Sequence, residues 1–226
     1  MNKQLTTYKD WIQLLELADK GDNVAQYEVA CYFDFGLVVK DTKIVEENHA
    51  MAFKWYHKTY ENGNTNAMIR LADFLSEGIY CKQDLEFAIE LYKKGIDNGH
   101  GLAANNLATL YRDQQDYKKA FELYQVAQRL DNSCSLSLAI CYYFGIGTEK
   151  NISMSFELFN NISNDIPTAA NCQYDIDEAN YFLAKIYLDG DIVEKSIDKA
   201  RIFLKLANTD DDHRSAQNLL VLIGEN

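Results

Sequence analysis

A two-part helical pattern recurs five times along this chain, and it constrains the fold more than any other feature of the sequence. Its second part, helix B, is clearest in residues 50–63, AMAFKWYHKTYENG, where core-type side chains recur three or four positions apart. These core positions are Ala52, Trp55, Tyr56 and Thr59, with Gly63 as the stop signal. Further copies have their core positions at Ala88, Leu91, Tyr92 and Gly95, at Ala120, Leu123, Tyr124 and Ala127, at Ser155, Leu158, Phe159 and Ile162, and at Ala200, Phe203, Leu204 and Ala207.

Each helix B is preceded by a helix A pattern that carries a small residue at a fixed position. The small residues are Ala30, Ala72, Ala108, Ala139 and Ala184, at spacings of 42, 36, 31 and 45 residues. We therefore expect equivalent helices joined by loops of unequal length. Because a small side chain lets two helix axes approach to roughly 8–10 Å, each helix A is predicted to pack closely on its helix B.

Residue types that favour helix N-caps stand where each predicted helix should begin. Short side-chain oxygens at this position accept hydrogen bonds from the first free backbone N–H groups, and glycine is also tolerated there. The predicted caps of the B helices are Asn48, Asp84, Asp116, Asn151 and Ser196, and those of the A helices are Asn23, Thr65, Gly101, Asn132 and Asp177. The core pattern was defined without these residues, so they support it independently.

These signals predict an all-α fold, a solenoid of about five helix-turn-helix repeats with a capping helix at each end. We expect an N-terminal cap at residues 5–21 and a C-terminal helix at residues 214–223. The predicted repeats are 23–64, 65–100, 101–131, 132–164 and 177–210. A long acidic loop is expected at 37–47 and a surface loop insertion at 165–176, which holds the single proline. Since no composition shift marks a boundary, residues 1–226 are expected to form one domain.

With these repeats the chain resembles the Sel-1-like repeat family, a relative of the tetratricopeptide repeats. The resemblance covers nearly the whole chain and is sharpest in AQYEVACYFDFG with AMAFKWYHKTYENGN, and in NAMIRLADFLSEG with DLEFAIELYKKGIDNG. It implies a right-handed α-α superhelix that binds proteins or peptides, since members are mostly adaptors and scaffolds. The family's Gly-x-Gly turn is kept only at residues 145–147, and the usual proline after that turn is absent.

The net charge limits the class of partner, and the cysteines indicate the redox compartment. A formal net charge of −12 disfavours nucleic acid and anionic membrane, which both need clustered Lys and Arg. It serves either solubility or attraction to a basic protein partner. Five cysteines without a CxxC or CxxxC pair indicate reduced thiols and not a disulfide framework. With no signal peptide and no apolar run of about 20 residues, the chain is expected to be cytoplasmic.

No catalytic constellation is apparent, and we expect no catalytic residues, no metal and no cofactor. The four histidines show no HExxH or HxxH pairing. Cys134 and Cys141 share a helix face, where core packing is the favoured interpretation. The run 210–212, DDD, precedes the last helix, where negative charge favours the helix N-terminus.

The exposed arc of the A helices is predicted to form the partner-binding concave surface. It combines aromatic and aliphatic side chains with charged ones, as protein interfaces do. The predicted binding residues are Tyr27, Asp34, Phe35, Ile69, Asp73, Glu77, Asn105, Arg112, Asp113, Tyr143, Phe144, Tyr181 and Lys185. The strongest candidates among them are Tyr27, Asp73, Arg112, Tyr143 and Tyr181.

The leading functional hypothesis is a monomeric, non-catalytic scaffold or adaptor that binds one protein partner. A narrower version is an immunity-type protein that neutralises a basic toxin. Two alternatives stay open. One is an enzyme of the cysteine-rich, β-lactam-binding type in the same repeat family, disfavoured because the cysteines here are irregular and odd in number. The other is a structural subunit that assembles with itself.

Overall fold

The computed structural model describes residues 5–78, 80–131, 135–167 and 172–224. They divide into two compact units, Met1–Asn98 and Gly99–Asn226, which are described separately. The first unit contains α1 (Tyr8–Asp19), α2 (Asn23–Phe35), β1 (Leu37–Val39), β2 (Thr42–Val45), α3 (His49–Glu61), a short 3-10 turn (Thr65–Ala67), α4 (Met68–Glu77) and α5 (Leu85–Asp97). The second contains α6 (Gly101–Asp113), α7 (Tyr117–Asp131), α8 (Ser135–Phe144), α9 (Ile152–Ser163), α10 (Gln173–Asp189), α11 (Ile197–Leu206) and α12 (Arg214–Leu222).

Every predicted pair of helices is present, so the prediction of an all-α fold of helix-turn-helix repeats is confirmed. Helix A packs on helix B as α2 on α3, α4 on α5, α6 on α7, α8 on α9 and α10 on α11. The helices α1 and α12 correspond to the predicted terminal caps. The expectation of one continuous domain stays a prediction.

The five recurring alanines are completely buried. Ala30, Ala72, Ala108, Ala139 and Ala184 each have a relative exposure of 0%. A larger side chain at these positions has no free volume to occupy, because protein interiors are close-packed. The fixed small residue therefore sets how closely each helix A approaches its neighbours, as the sequence predicts.

One backbone hydrogen bond closes every hairpin at an equivalent place. In each repeat the N-cap residue of helix B donates its N–H to the carbonyl of the residue three positions after the buried alanine. The bonds run from Asn48 to Phe33 (2.6 Å), Asp84 to Leu75 (3.0 Å), Asp116 to Tyr111 (2.9 Å), Asn151 to Tyr142 (2.8 Å) and Ser196 to Tyr187 (2.9 Å). The bonded residues are 15, 9, 5, 9 and 9 positions apart in sequence. Loops of unequal length thus end on the same backbone contact.

The predicted N-caps are confirmed for the B helices, but the four A-helix caps that lie in the described residues are wrong. Each B cap accepts a hydrogen bond from the backbone N–H three residues later, at 3.0–3.3 Å, at Asn48, Asp84, Asp116, Asn151 and Ser196. Among the A helices, α2 is capped by Asp22 instead of Asn23, and Asn64 instead of Thr65 caps the 3-10 turn before α4. Gly101 is the first residue of α6 and not its cap. Asn132 lies outside the described residues.

The predicted acidic loop at 37–47 is a β-hairpin. β1 and β2 pair antiparallel, with Val39 opposite Thr42. Lys40 and Asp41, between them, both have positive φ, at 47° and 64°. A two-residue turn with both φ values positive matches the right-handed twist of the strands, and it was missed because these residues are not the usual Asn-Gly type. Val45 is buried, which fixes the hairpin on the helices of its unit.

The predicted loop insertion at 165–176 is shorter than expected, because α10 begins at Gln173. Asp177, predicted as an N-cap, lies inside this helix and is 9% exposed. Asp175 accepts a hydrogen bond from the backbone N–H of Cys172 at 3.0 Å and so stabilises the earlier start. Residues 168–171 lie outside the described part of the chain.

Replacing a buried alanine should destabilise the first unit. We expect Ala72→Leu to lower the free energy of unfolding by about 1–3 kcal/mol, because added methylenes in a packed core force neighbouring side chains out of place. Ala50→Leu, at an exposed position of α3, is the matched control and should change stability by less than about 0.5 kcal/mol. Urea denaturation followed by circular dichroism measures both. Equal midpoints for the two variants would contradict the role assigned to the small residue.

Candidate functional site

A network of charged and hydroxyl groups joins the two repeats of the first unit. The carboxylate of Asp34 accepts hydrogen bonds from Arg70 Nε at 2.9 Å and Nη2 at 2.8 Å, and from the Tyr56 hydroxyl at 3.1 Å. Arg70 Nη1 donates to Asp73 at 3.0 Å, and the Tyr92 hydroxyl donates to the other oxygen of Asp73 at 2.7 Å. One guanidinium thus holds two carboxylates, and each carboxylate also binds a tyrosine of a B helix.

Burial dominates the electrostatics of this network. It raises the pKa of both tyrosine hydroxyls, Tyr56 and Tyr92, and the adjacent carboxylates raise it further. Desolvation alone would lower the pKa of Arg70, but the hydrogen bonds that Arg70 donates to Asp34, and the negative charge of Asp34, more than offset this, so the pKa is raised. At neutral pH both tyrosines are therefore protonated hydrogen-bond donors, and Arg70 keeps its positive charge.

This network corrects the predicted exposure of two site residues. Asp34 was expected on the solvent-facing arc, but it is 3% exposed. Asp73 is half-buried and bound to Arg70 and Tyr92. Sequence analysis missed Arg70, although its position three residues before Asp73 places the two side chains on one helix face, where opposite charges pair.

The exposed part of the predicted surface in the first unit centres on Phe35. This ring is 66% exposed, and the Arg70 guanidinium lies 5.5 Å from its centroid. Glu77 is exposed, while Ile69 and Tyr27 are half-buried. Burial, together with Cys31, raises the pKa of Tyr27 to about 12.

In the second unit, the rings of three predicted residues come together around the ammonium group of a fourth, Lys185. Lys185 Nζ lies 5.4 Å from the ring centroid of Tyr143, 5.9 Å from Phe144 and 5.6 Å from Tyr181. Phe182, which was not predicted, supplies a fourth ring at 5.4 Å. Phe144 is 54% exposed. Tyr143 was expected to be exposed, but it is 8% exposed because its ring packs on Phe182 at 5.0 Å.

The remaining predicted residues lie on α6. Arg112 and Asp113 are exposed and pair with each other at 3.0 Å, while Asn105 is half-buried. Arg112 lines a cavity of about 110 Å³ together with Ile140 and Cys141. Burial raises the pKa of the Cys141 thiol to about 11, so this thiol is protonated at neutral pH and a poor nucleophile.

A larger cavity of about 460 Å³ lies where α10 and α12 begin. Asp177, Glu178, Asp210 and Asp212 line it together with His213. His213 Nδ1 accepts the backbone N–H of Ala216 at 3.1 Å and so caps α12. Within the described residues, no group of three or more His, Cys, Asp or Glu side chains is arranged to hold a metal ion.

Comparison with protein families identifies the repeats. A family model described as Sel1 repeat matches residues 23–64, 65–100, 101–132, 134–161 and 177–212. No curated protein matches the chain. In the described residues, no helix combines the length and the apolar character that a membrane span needs.

Solved structures share the fold at low sequence identity. The Sel1 repeat protein from Oxalobacter formigenes has a TM-score of 0.71 at 20% identity, over 97% of this chain and 87% of that one. The protective antigen c5321 of uropathogenic Escherichia coli strains, which displays an SLR fold, has a TM-score of 0.75 at 21% identity. That alignment covers 96% of this chain and 44% of c5321, so the chain spans less than half of that protein. A putative Sel1 repeat protein from Klebsiella pneumoniae has a TM-score of 0.51 at 20% identity, over 94% and 98% of the two chains.

Breaking the buried Asp34–Arg70 pair should cost more stability than breaking an exposed ion pair. We expect Asp34→Asn to cost about 1.5–3 kcal/mol of unfolding free energy, the range for hydrogen bonds to charged groups. Glu90→Gln removes an exposed pair with Lys94, 2.7 Å apart in the same unit, and should cost less than about 1 kcal/mol. Chemical denaturation of both variants measures the difference. Similar losses for the two variants would show that burial adds nothing to the Asp34 network.

Proposed function

The chain belongs to the Sel1 repeat family, and we propose that it is a non-catalytic scaffold that binds another protein through exposed side chains of its A helices. Sel1 repeat proteins typically serve as scaffolds for protein–protein interaction. The observation that carries the proposal is an exposed phenylalanine at the same position of two repeats, directly before the glycine that follows helix A. Phe35 is 66% exposed and Phe144 is 54% exposed. The equivalent residues of the other repeats are Glu77, Asp113 and Asp189.

The surroundings of each phenylalanine support a binding role. Each ring has a cation of the next repeat's helix A beside it, Arg70 at 5.5 Å from Phe35 and Lys185 at 5.9 Å from Phe144. Aromatic and Arg side chains are enriched among the residues that contribute most to protein interfaces. A fixed neighbour beside each ring, Arg70 held by Asp34 in one unit and Phe182 in the other, limits the side-chain entropy lost on binding.

An immunity-type role, in which the chain neutralises a basic toxin, is a narrower form of this proposal. The net charge of −12 supports it, because long-range attraction speeds encounter with a basic partner. An enzymatic role and self-assembly remain the alternatives. The cytoplasmic location and the monomeric state also stay predictions.

The proposal predicts that both phenylalanines are needed for binding. We expect Phe35→Ala and Phe144→Ala each to weaken a direct complex by about thirtyfold or more, since truncating a hot-spot aromatic residue costs at least about 2 kcal/mol. The chain is first used to isolate a stoichiometric partner from its native host. The purified partner is then titrated calorimetrically against each variant.

Two controls make the result specific. Ile202→Ala and Leu222→Ala remove exposed apolar side chains, 58% and 79% exposed, from α11 and α12. Both should leave affinity unchanged. Full affinity in the two phenylalanine variants would refute the proposed surface, and large homo-oligomers without another partner in sedimentation would favour self-assembly instead.

A further inference from the structure

Lys185 is an unusual cation in this protein. Of the lysines in the described ranges, it is the one that is half-buried, and all the others are exposed. The half-buried arginines Arg70 and Arg201 each pair with an aspartate, Asp34 at 2.8 Å and Asp198 at 2.9 Å. No carboxylate in the described part of the chain lies within 4 Å of Lys185 Nζ. Lys185 therefore buries part of its side chain without gaining a counter-ion.

Aromatic rings surround the Lys185 ammonium instead of a carboxylate. The ammonium lies 5.4–5.9 Å from the centroids of Tyr143, Phe144, Tyr181 and Phe182. Ring faces attract a cation, but they do not neutralise its charge. A carboxylate that approaches Lys185 thus gains a full charge–charge interaction with a cation that has no other carboxylate beside it in the described part of the chain.

The rings also hold the ammonium in position. Phe182 is 7% exposed and stacks on Phe159, with the centroids 5.0 Å apart and the planes 3° from parallel. Phe144 packs on Phe182 at 5.8 Å and still keeps 54% of its surface exposed. The exposed Phe144 ring therefore forms an apolar patch next to a positive charge that is held in place.

Other charged groups surround this patch. Lys150 Nζ lies 6.0 Å from the Tyr143 ring and adds a second positive charge. Asp189 and Asp191 are exposed, and their charges add to burial in raising the pKa of the Tyr143 hydroxyl. These two carboxylates lie near that hydroxyl and would repel an incoming anion, so they are expected to limit its affinity.

The first unit provides a contrast within the same chain. Phe35 also carries a cation from the following helix A, but Asp34 and Asp73 both bind that cation, Arg70. The Phe35 site therefore has no positive charge to offer an external carboxylate. The Phe144 site does.

We propose that Lys185 and Phe144 bind an acidic segment of the protein partner, with the carboxylate of an Asp or Glu on Lys185 and an adjacent apolar side chain on Phe144. This inference rests on the proposed protein-binding function and names the partner chemistry that this part of the surface selects. It concerns the second unit alone. The chain as a whole remains acidic, so the attraction is local.

A pair of capped peptides tests the proposal directly. The probe is acetyl-Gly-Phe-Glu-Gly-amide, and its control is the same peptide with Gln in place of Glu. Carbon–proton NMR of the lysine Cε groups in the full-length protein follows both titrations. We expect a saturable shift of the Lys185 signal with the Glu peptide and about tenfold weaker binding of the Gln peptide, because a charge-assisted hydrogen bond is roughly twice as strong as a neutral one.

Matched variants assign the effect to Lys185. Lys185→Gln should abolish the difference between the two peptides, whereas Lys185→Arg should keep it, which separates loss of charge from misfolding. Lys199→Gln makes the same charge change at another lysine that lies over a ring, 4.9 Å from Tyr187, and should leave binding unaltered. Asp189→Asn combined with Asp191→Asn should strengthen Glu-peptide binding severalfold.

The outcomes separate this inference from the proposed function. Equal binding of the two peptides, or an unchanged preference in Lys185→Gln, would overturn the carboxylate site. If the native partner depends on Phe35 and Phe144 but not on Lys185, the scaffold function stands and this inference fails. If the Glu peptide binds at Lys185 but no protein partner exists, the site stands and the function fails.

Discussion

The structure depends on the backbone hydrogen bond that runs from the N-cap residue of each helix B to the last turn of helix A. It recurs in all five repeats at 2.6–3.0 Å, beside an alanine that is completely buried. The alanine allows the helices to approach, and the bond satisfies a carbonyl that a helix end would otherwise leave free. Together they fix the position of helix B relative to helix A, whatever the loop between them does.

This closure explains why the repeats tolerate unequal loops. The closing bond spans 15 residues around the β-hairpin of the first repeat and 5 in the third. Lengthening a loop costs little folding free energy, because the entropy lost on closing the loop grows only with the logarithm of the loop length. The same closure holds the end of each helix A in place, and in two repeats this end carries the exposed phenylalanine on which the proposed function rests.

The sequence predicts the parts of the structure that depend on local patterns. The buried alanines, the paired helices and the five B-helix caps follow from spacing and residue type, because neighbours along a helix decide them. The hairpin at Leu37–Val45 and the early start of α10 were missed, since each depends on a turn or cap that lacks the usual residues. Asp34 was predicted to be exposed because its helix position faces away from helix B, but it binds Tyr56 of its own helix B and also Arg70 of the next repeat. Helical periodicity within one repeat carries no information on that contact.

Amide hydrogen exchange measures the central closure most directly. The backbone N–H groups of Asn48, Asp84, Asp116, Asn151 and Ser196 each head a helix, where N–H groups are usually free to exchange. If the closing bond organises every repeat, all five amides exchange as slowly as the interior amides of their own B helices, including the one that follows the longest loop. Exchange at the rate of open loop amides in these five positions would contradict the account.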